Sequence, residues 1–181
     1  LVLTDPAIQE RLIQQILQTV LQRGYAGVDV DFEYLPGPLS TAYAAFLSRL
    51  RRLLHAQGRF LWAALAPKTS ATQKGLLYEG HDYPAIGAAS DGVLLMTYEW
   101  GYTYGPPMAV APLPNVRSVL DYAVTAVPAS KIFLGIPNYG YDWPLPFVQG
   151  VTRAQSISNQ RAIELAIEHQ VAIQFDPTSQ S

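Results

Sequence analysis

The sequence of 181 residues contains no cysteine, which excludes disulfide bonds and cysteine-ligated metal sites. Charged residues make up only 14% of the chain, below the usual quarter, and 12 basic residues stand against 14 acidic ones. Because there is no basic excess, nucleic acids and anionic membranes are not expected as partners. No apolar run approaches the roughly 20 residues of a membrane span, and we expect no signal peptide ahead of Leu1.

Nucleotide-binding motifs are also missing, since neither GxGxxG nor GxxxxGK[ST] follows a predicted strand. The first residue is Leu1 rather than methionine, so we expect the chain to be a piece of a longer polypeptide. Its composition, 49% hydrophobic, is that of one globular domain with its own core.

The sequence does contain helix and strand patterns in alternation. The first helix is predicted from the N-cap Asp5 and Pro6 to Gly24. Strands are predicted at GVDVDFEYL, FLWAALAP, DGVLLMTYEW and KIFLGIPNYG, and a last helix over roughly Ser156–His169 precedes a short strand VAIQFD. Long loops follow the strands, whereas the connections that enter them are short. This asymmetry is typical of a (β/α) barrel and also of a doubly wound sheet.

The stretch GVDVDFEY carries acids at every second position, Asp29, Asp31 and Glu33, which places them on one face of a strand. One interpretation is a solvated acidic face on a half-exposed strand. The other is a buried face, where like charges are costly unless one group is protonated. The neighbouring strands are apolar throughout, so we expect burial, with the pKa of Glu33 raised by Asp31 for proton donation. A divalent cation would also relieve the crowding, but no histidine or further aspartate cluster lies nearby, and no metal is expected.

These motifs resemble glycoside hydrolase family 18. The family's fullest acidic pattern is Asp-x-x-Asp-x-Asp-x-Glu; GVDVDFEY matches its last three acids, and Ala26 stands at the first. LMTYEW is similar to the family's Met-x-Tyr-Asp/Glu strand through Met96, Tyr98 and Glu99, and KIFLGIPNYGYDW is similar to its next strand. Taken together, these sequence motifs resemble the bacterial spore-germination, cortex-lytic N-acetylglucosaminidase branch of the family. The resemblance extends over the whole chain.

The resemblance implies an α/β fold of the (β/α)8 TIM-barrel type, present here as a partial barrel of about strands four to seven. Residues 1–181 would then be a partial catalytic domain. A half barrel leaves two open sheet edges, which predicts either covering chain or association with another copy.

The resemblance also implies retaining, substrate-assisted hydrolysis of β-1,4 links next to N-acetylglucosamine, without a cofactor. In that scheme Glu33 is the acid/base, Asp31 stabilises the intermediate, Asp29 supports Asp31, and Tyr98 holds the acetamido carbonyl. Peptidoglycan of the spore cortex or cell wall is the predicted substrate, and action is expected outside the cell, in the wall or spore envelope. A chitinase with the same mechanism and a non-catalytic glycan-binding fragment remain alternatives.

Further substrate contacts are predicted for Met96 and Glu99 and for aromatic residues after the strands. Aromatic faces at one end of a sheet favour carbohydrate, although each ring alone is more often a packing residue. Those predicted to bind substrate are Trp100, Tyr139, Tyr141 and Trp143. The histidines His55, His81 and His169 lack ligand spacing and are predicted to be solvated.

Overall fold

The structure, a computed structural model, describes residues 2–181. The chain forms two compact units. The first extends to Met96 and resumes over Leu120–Leu134, and the second comprises Thr97–Val119 and Gly135–Ser181. No helix of the described residues is long and apolar enough to cross a membrane.

The first unit is built on a parallel sheet of four strands in the order β1-β2-β3-β4. The strands are β1 (Gly27–Val30), β2 (Phe60–Leu65), β3 (Gly92–Leu95) and β4 (Ile132–Leu134). Sequential parallel strands are the arrangement of a partial (β/α) barrel, and the predicted fold class is therefore confirmed. All four strands are shorter than predicted, because they end at Val30, Leu65, Leu95 and Leu134.

Helices α1 (Pro6–Arg23), α2 (Ser40–His55), α3 (Tyr83–Ala89) and α4 (Leu113–Ala126) lie between or around these strands in the sequence. The start of α1 is as predicted, since the Asp5 carboxylate accepts hydrogen bonds from the backbone N–H groups of Ala7 and Ile8. Its end is also as predicted, because Gly24 adopts the left-handed conformation with φ of 68°.

The core of the first unit is formed by one face of α2 and one side of the sheet. The α2 side chains that are buried recur at helical spacing: Tyr43, Phe46, Leu47, Leu50 and Leu54. On β2, Leu61, Ala63 and Leu65 are completely buried, as are Val93 and Leu95 of β3. Alternation therefore points the intervening residues to the other side of the sheet, which is the side that carries Asp29.

The second unit contains an antiparallel pair, β5 (Tyr139–Asp142) with β6 (Gln155–Ser158), followed by α5 (Asn159–Glu168). The predicted strand KIFLGIPNYG is therefore two strands in different sheets, and the predicted last helix begins later because residues 156–158 belong to β6. Ser158 caps α5 by accepting from the Arg161 N–H. The predicted strand VAIQFD is wrong: these residues pair with no strand, and Val171, Ile173 and Phe175 are exposed.

Candidate active site

The acidic segment begins on β1 and continues beyond it. Asp29 lies within β1, whereas Asp31 and Glu33 follow its last residue, Val30. Exposure alternates as predicted, because the three acids are exposed, Val30 is buried and Phe32 is half-buried. The predicted burial of the acidic face is wrong. Asp29 is in register with Trp62 on the side of the sheet opposite the helical core.

The electrostatics of the segment still favour a protonated acid. Burial and, second, the charge of Asp31 raise the pKa of the Glu33 carboxyl. The same two causes, in the same order, raise the pKa of Asp29. The direction predicted for Glu33 is therefore correct. Partial desolvation is its larger cause, and the neighbouring aspartate, which the sequence indicated, is the smaller one.

Phe32, between the two outer acids, anchors the segment to the core. Its ring stacks on Tyr43 and Phe46, with ring centroids 5.5 Å and 5.7 Å away. Its carbonyl oxygen lies 2.8 Å from Nε2 of His81. Asp31 and Glu33, on either side of this anchored residue, are exposed, so the acids lie away from the core.

His81 is the residue that the sequence analysis missed. It was predicted to be solvated, but it is completely buried between the ends of β1 and β2. His55, in contrast, is exposed and pairs with Asp91 at 2.8 Å, and His169 is exposed as predicted. The only local signal for His81 was its position directly before the N-cap Asp82 of α3. That signal indicates a turn but says nothing about burial.

A second group of predicted residues forms a cluster in the second unit. The Tyr139 hydroxyl donates to Glu99 Oε1 at 2.5 Å, and the Tyr141 hydroxyl donates to both Glu99 oxygens at 2.8 and 3.0 Å. Burial and the Glu99 carboxylate raise the pKa of Tyr141 to about 12. Tyr98 is close enough to Tyr139 to contribute to raising its pKa.

Glu99 lies beyond its predicted strand, whereas its two tyrosine partners lie within one. β3 ends at Leu95, and Glu99 has a φ of 69°, in the left-handed region that non-glycine residues rarely adopt. Tyr139 and Tyr141 lie on β5, two residues apart on one face, rather than in a loop after a strand as predicted.

In the described part of the chain, the other residues predicted to bind substrate make no hydrogen bond to Glu99 and lie elsewhere in the fold. Trp143 is half-buried, and its Nε1 donates to the Gly105 carbonyl at 2.9 Å. Trp100 is half-buried, and its backbone N–H donates to Val110. Met96 is 8% exposed and belongs to the core of the first unit, and its contact with substrate stays a prediction.

The acids do not form a metal-binding group. Across residues 2–181, no set of three or more histidine, aspartate or glutamate side chains is arranged to hold a metal ion. Asp29, Asp31 and Glu33 lie two residues apart along the acidic segment.

Comparison with known proteins identifies the family. The model of Glycosyl hydrolases family 18 matches residues 1–181, and the chain belongs to this family. The chain is 46% identical over 181 residues to the Cortical fragment-lytic enzyme of Bacillus subtilis (strain 168). The aligned region covers 100% of this chain and 42% of that protein.

Solved structures give the same result. The spore cortex-lytic enzyme SleL of Bacillus megaterium QM B1551 matches with a TM-score of 0.93 and 45% identity, covering 99% of this chain and 41% of that one. A chitinase from Chromobacterium violaceum ATCC 12472 matches with a TM-score of 0.83 and 27% identity, covering 96% of this chain and 53% of that one. The chain thus spans about two fifths of the length of its cortex-lytic relatives. Its parallel α/β sheet is of the partial TIM-barrel type that the resemblance implied.

Proposed function

We propose that the chain carries the catalytic acids of a retaining glycosidase that cleaves β-1,4 links next to N-acetylglucosamine in peptidoglycan. The observation that carries this proposal is the outward-pointing series Asp29, Asp31 and Glu33 at the end of β1, in which the Glu33 carboxyl has a raised pKa. Membership of family 18 supplies the class of reaction.

Each acid has a defined task in the proposed mechanism. The substrate's own acetamido oxygen attacks the anomeric carbon while Glu33 protonates the departing glycosidic oxygen. Asp31 carries the negative charge that stabilises the resulting positive oxazolinium ion, and Asp29 orients Asp31. The Glu33 carboxylate then takes a proton from the water that opens this intermediate, which restores the acid.

Residues of the second unit are proposed to bind the sugar. Tyr98 is proposed to donate its hydroxyl to the acetamido carbonyl, and the rings of Trp100, Tyr139, Tyr141 and Trp143 to contact pyranose faces. Glu99 is proposed to accept from a sugar hydroxyl while it stays fixed by its two tyrosine donors.

Spore-cortex peptidoglycan is the preferred substrate because two close relatives are a cortical fragment-lytic enzyme and a spore cortex-lytic enzyme. We accordingly place the activity in the spore envelope or elsewhere outside the cell. Chitin is the second candidate, favoured by the similarity to the Chromobacterium chitinase. We further propose association with a second copy, because β1 and β4 each pair with only one strand in the described part of the chain.

The Glu33→Gln substitution tests the catalytic assignment. Hydrolysis of purified cortex peptidoglycan and of chitin oligomers is measured by release of reducing ends. The amide has nearly the same shape but cannot transfer the proton, so we expect turnover to fall by at least about hundredfold. Glu164→Gln, on the exposed face of α5, is the matched control and should retain full activity.

The outcomes separate the candidate functions. Faster hydrolysis of cortex than of chitin supports the cortex-lytic assignment, and the reverse order supports a chitinase. Glycan binding without turnover by the unchanged chain supports the binding fragment. Equal turnover by Glu33→Gln and the unchanged chain would show that Glu33 is not the acid.

A further inference from the structure

We propose that His81 is a positioning residue for the acid pair: its imidazole, inserted between the ends of β1 and β2, holds the Phe32 carbonyl and thereby the directions of Asp31 and Glu33. This inference rests on the proposed function of the two acids. It assigns the orientation of the acids to a residue that touches neither.

The hydrogen-bonded pairing of β1 with β2 ends before Asp31 and Glu33. The last pair in the register of β1 with β2 is Val30 with Ala63, and β2 itself ends at Leu65. Pairing with a neighbouring strand therefore does not hold the backbone of residues 31–33 in place. A different contact has to hold the segment if its side chains are to keep one direction.

The imidazole of His81 supplies that contact from both of its nitrogens. The backbone N–H of Ala66, just beyond β2, donates to Nδ1 at 2.9 Å. Because Nδ1 accepts, the proton of the neutral ring resides on Nε2, which donates to the Phe32 carbonyl at 2.8 Å. The ring thus bridges the Ala66 N–H and the Phe32 carbonyl, and it links the chain after β1 to the chain after β2.

The surroundings of His81 keep the ring neutral and fixed. It is completely buried, and burial lowers its pKa, with Lys68 acting in the same direction and both Asp31 and the bond to Phe32 acting against it. Its ring lies against Tyr43, with centroids 6.1 Å apart. Lys68 Nζ donates to the His81 carbonyl at 3.0 Å and so holds the backbone of the same residue.

The preceding glycine brings this backbone close to the acidic segment. A Cβ at Gly80 would lie 2.2 Å from the carbonyl oxygen of Leu35, which is two residues beyond Glu33. Only glycine permits this approach. The chain on both sides of Glu33 is therefore in contact with the Gly80–His81 pair, at the Phe32 carbonyl and at the Leu35 backbone.

Tyr83 provides a matched control because it serves the end of β2 without reaching β1. Its hydroxyl donates to the Ala66 carbonyl at 2.6 Å and accepts from the Lys68 N–H at 3.0 Å. Like His81, it is completely buried. Tyr83→Phe leaves buried backbone groups without partners and so lowers stability, while the contact at Phe32 stays in place.

The experiment compares His81→Ala, His81→Gln and Tyr83→Phe at a temperature at which each variant is folded. Displacing a reacting group by about 1 Å costs on the order of hundredfold in rate, so we expect His81→Ala to lower kcat by about that factor with KM little changed. Glutamine offers one donor and one acceptor, and we expect it to restore kcat to within about tenfold of the unchanged chain. Tyr83→Phe should unfold at lower temperature but keep kcat within about threefold.

Equal losses of kcat in His81→Ala and Tyr83→Phe would overturn the positioning role and leave a purely structural one. If His81→Ala does not fold, His81→Asn replaces it, because its shorter amide cannot span both contacts; kcat no lower than that of His81→Gln would then overturn the proposal.

A second readout separates this inference from the proposed function. Absence of any hydrolysis by the unchanged chain would refute the function, but carboxyl NMR titration of Glu33 needs no turnover. We expect the Glu33 pKa to move towards its ordinary value in His81→Ala, because the loosened segment exposes the Glu33 carboxyl to solvent and lets it move away from the Asp31 carboxylate. It should stay raised in Tyr83→Phe. An unchanged Glu33 titration in His81→Ala would overturn the positioning role.

Discussion

At the scale of single residues, the two groups of predicted site residues differ in what surrounds their carboxylates. Glu33 is exposed and has Asp31 as its charged neighbour, which favours its protonated form. Glu99 accepts three hydrogen bonds from two tyrosine hydroxyls, which hold its carboxylate in place. Only the first environment suits a proton donor, and the second suits a fixed acceptor.

The Glu99 cluster can be tested through Tyr141. In Glu99→Gln the negative charge that opposes formation of the tyrosinate is gone, so we expect the pKa of Tyr141 to fall from about 12 towards its ordinary value. Ring-carbon NMR of Tyr141 during an alkaline titration measures the change. Glu164→Gln serves as control and should leave Tyr141 unaffected. A Tyr141 titration that is the same with and without the Glu99 charge would contradict the hydrogen bonds from Tyr141 to Glu99.

At the scale of secondary-structure elements, the first helix and the starts of the strands were predictable from the sequence. Asp5, Pro6 and Gly24 are local signals, and local signals specify helix ends. The ends of strands were not predictable, because β1 ends where its pairing with Ala63 ends. The division of KIFLGIPNYG into β4 and β5 likewise depends on partners distant in sequence.

The site was predictable to the same extent. The alternation of the acids is a local property and was correct, whereas their exposure depends on what covers the sheet. The role of His81 could not be predicted, because its contacts are 49 residues away at Phe32 and 15 residues away at Ala66. A lone histidine carries no period or spacing that reveals such partners.

The burial of His81 between two strand ends predicts a pH dependence of stability. Its folded pKa is lowered, chiefly by burial, below the ordinary value of about 6.5. Above that pH both folded and unfolded chains carry the neutral ring. As the pH falls below it, the unfolded chain takes up a proton that the folded chain resists. The free energy of unfolding should therefore decrease, by at most about 1.4 kcal/mol per pH unit.

Urea unfolding at pH values above and below this window measures the effect. We expect His81→Gln, which does not titrate, to lose less stability on acidification than the unchanged chain. His169→Gln is the control, because its imidazole is exposed and lies outside this buried contact. Parallel stability–pH curves for the unchanged chain and His81→Gln would show that His81 is not held neutral by the fold.

At the scale of the whole molecule, the four-stranded sheet has two edges. In the described part of the chain β1 pairs only with β2, and β4 only with β3. Exposed parallel edges present unpaired backbone groups that another chain can use. Exposed apolar residues accompany the β4 edge, among them Phe133 at 41% and Leu134 at 39%.

We therefore expect self-association that increases with concentration, measured by size-exclusion chromatography with light scattering. Leu134→Lys places a charge at the β4 edge and should shift the equilibrium towards monomer. Ile167→Lys, an equally apolar but more exposed position on α5, is the control and should leave association unchanged. A monomer at every concentration would contradict the edge-pairing proposal.

The hydrogen bond from His81 to Phe32 has a consequence for how this site tolerates substitution. Its acceptor is a backbone carbonyl, and every amino acid carries one. A replacement at position 32 can change the ring packing on Tyr43 and Phe46 but cannot delete the acceptor. The donor belongs to a side chain that a single substitution removes. A single substitution can therefore remove this hydrogen bond at position 81 but not at position 32. Selection for the orientation of the acids accordingly acts mainly on position 81.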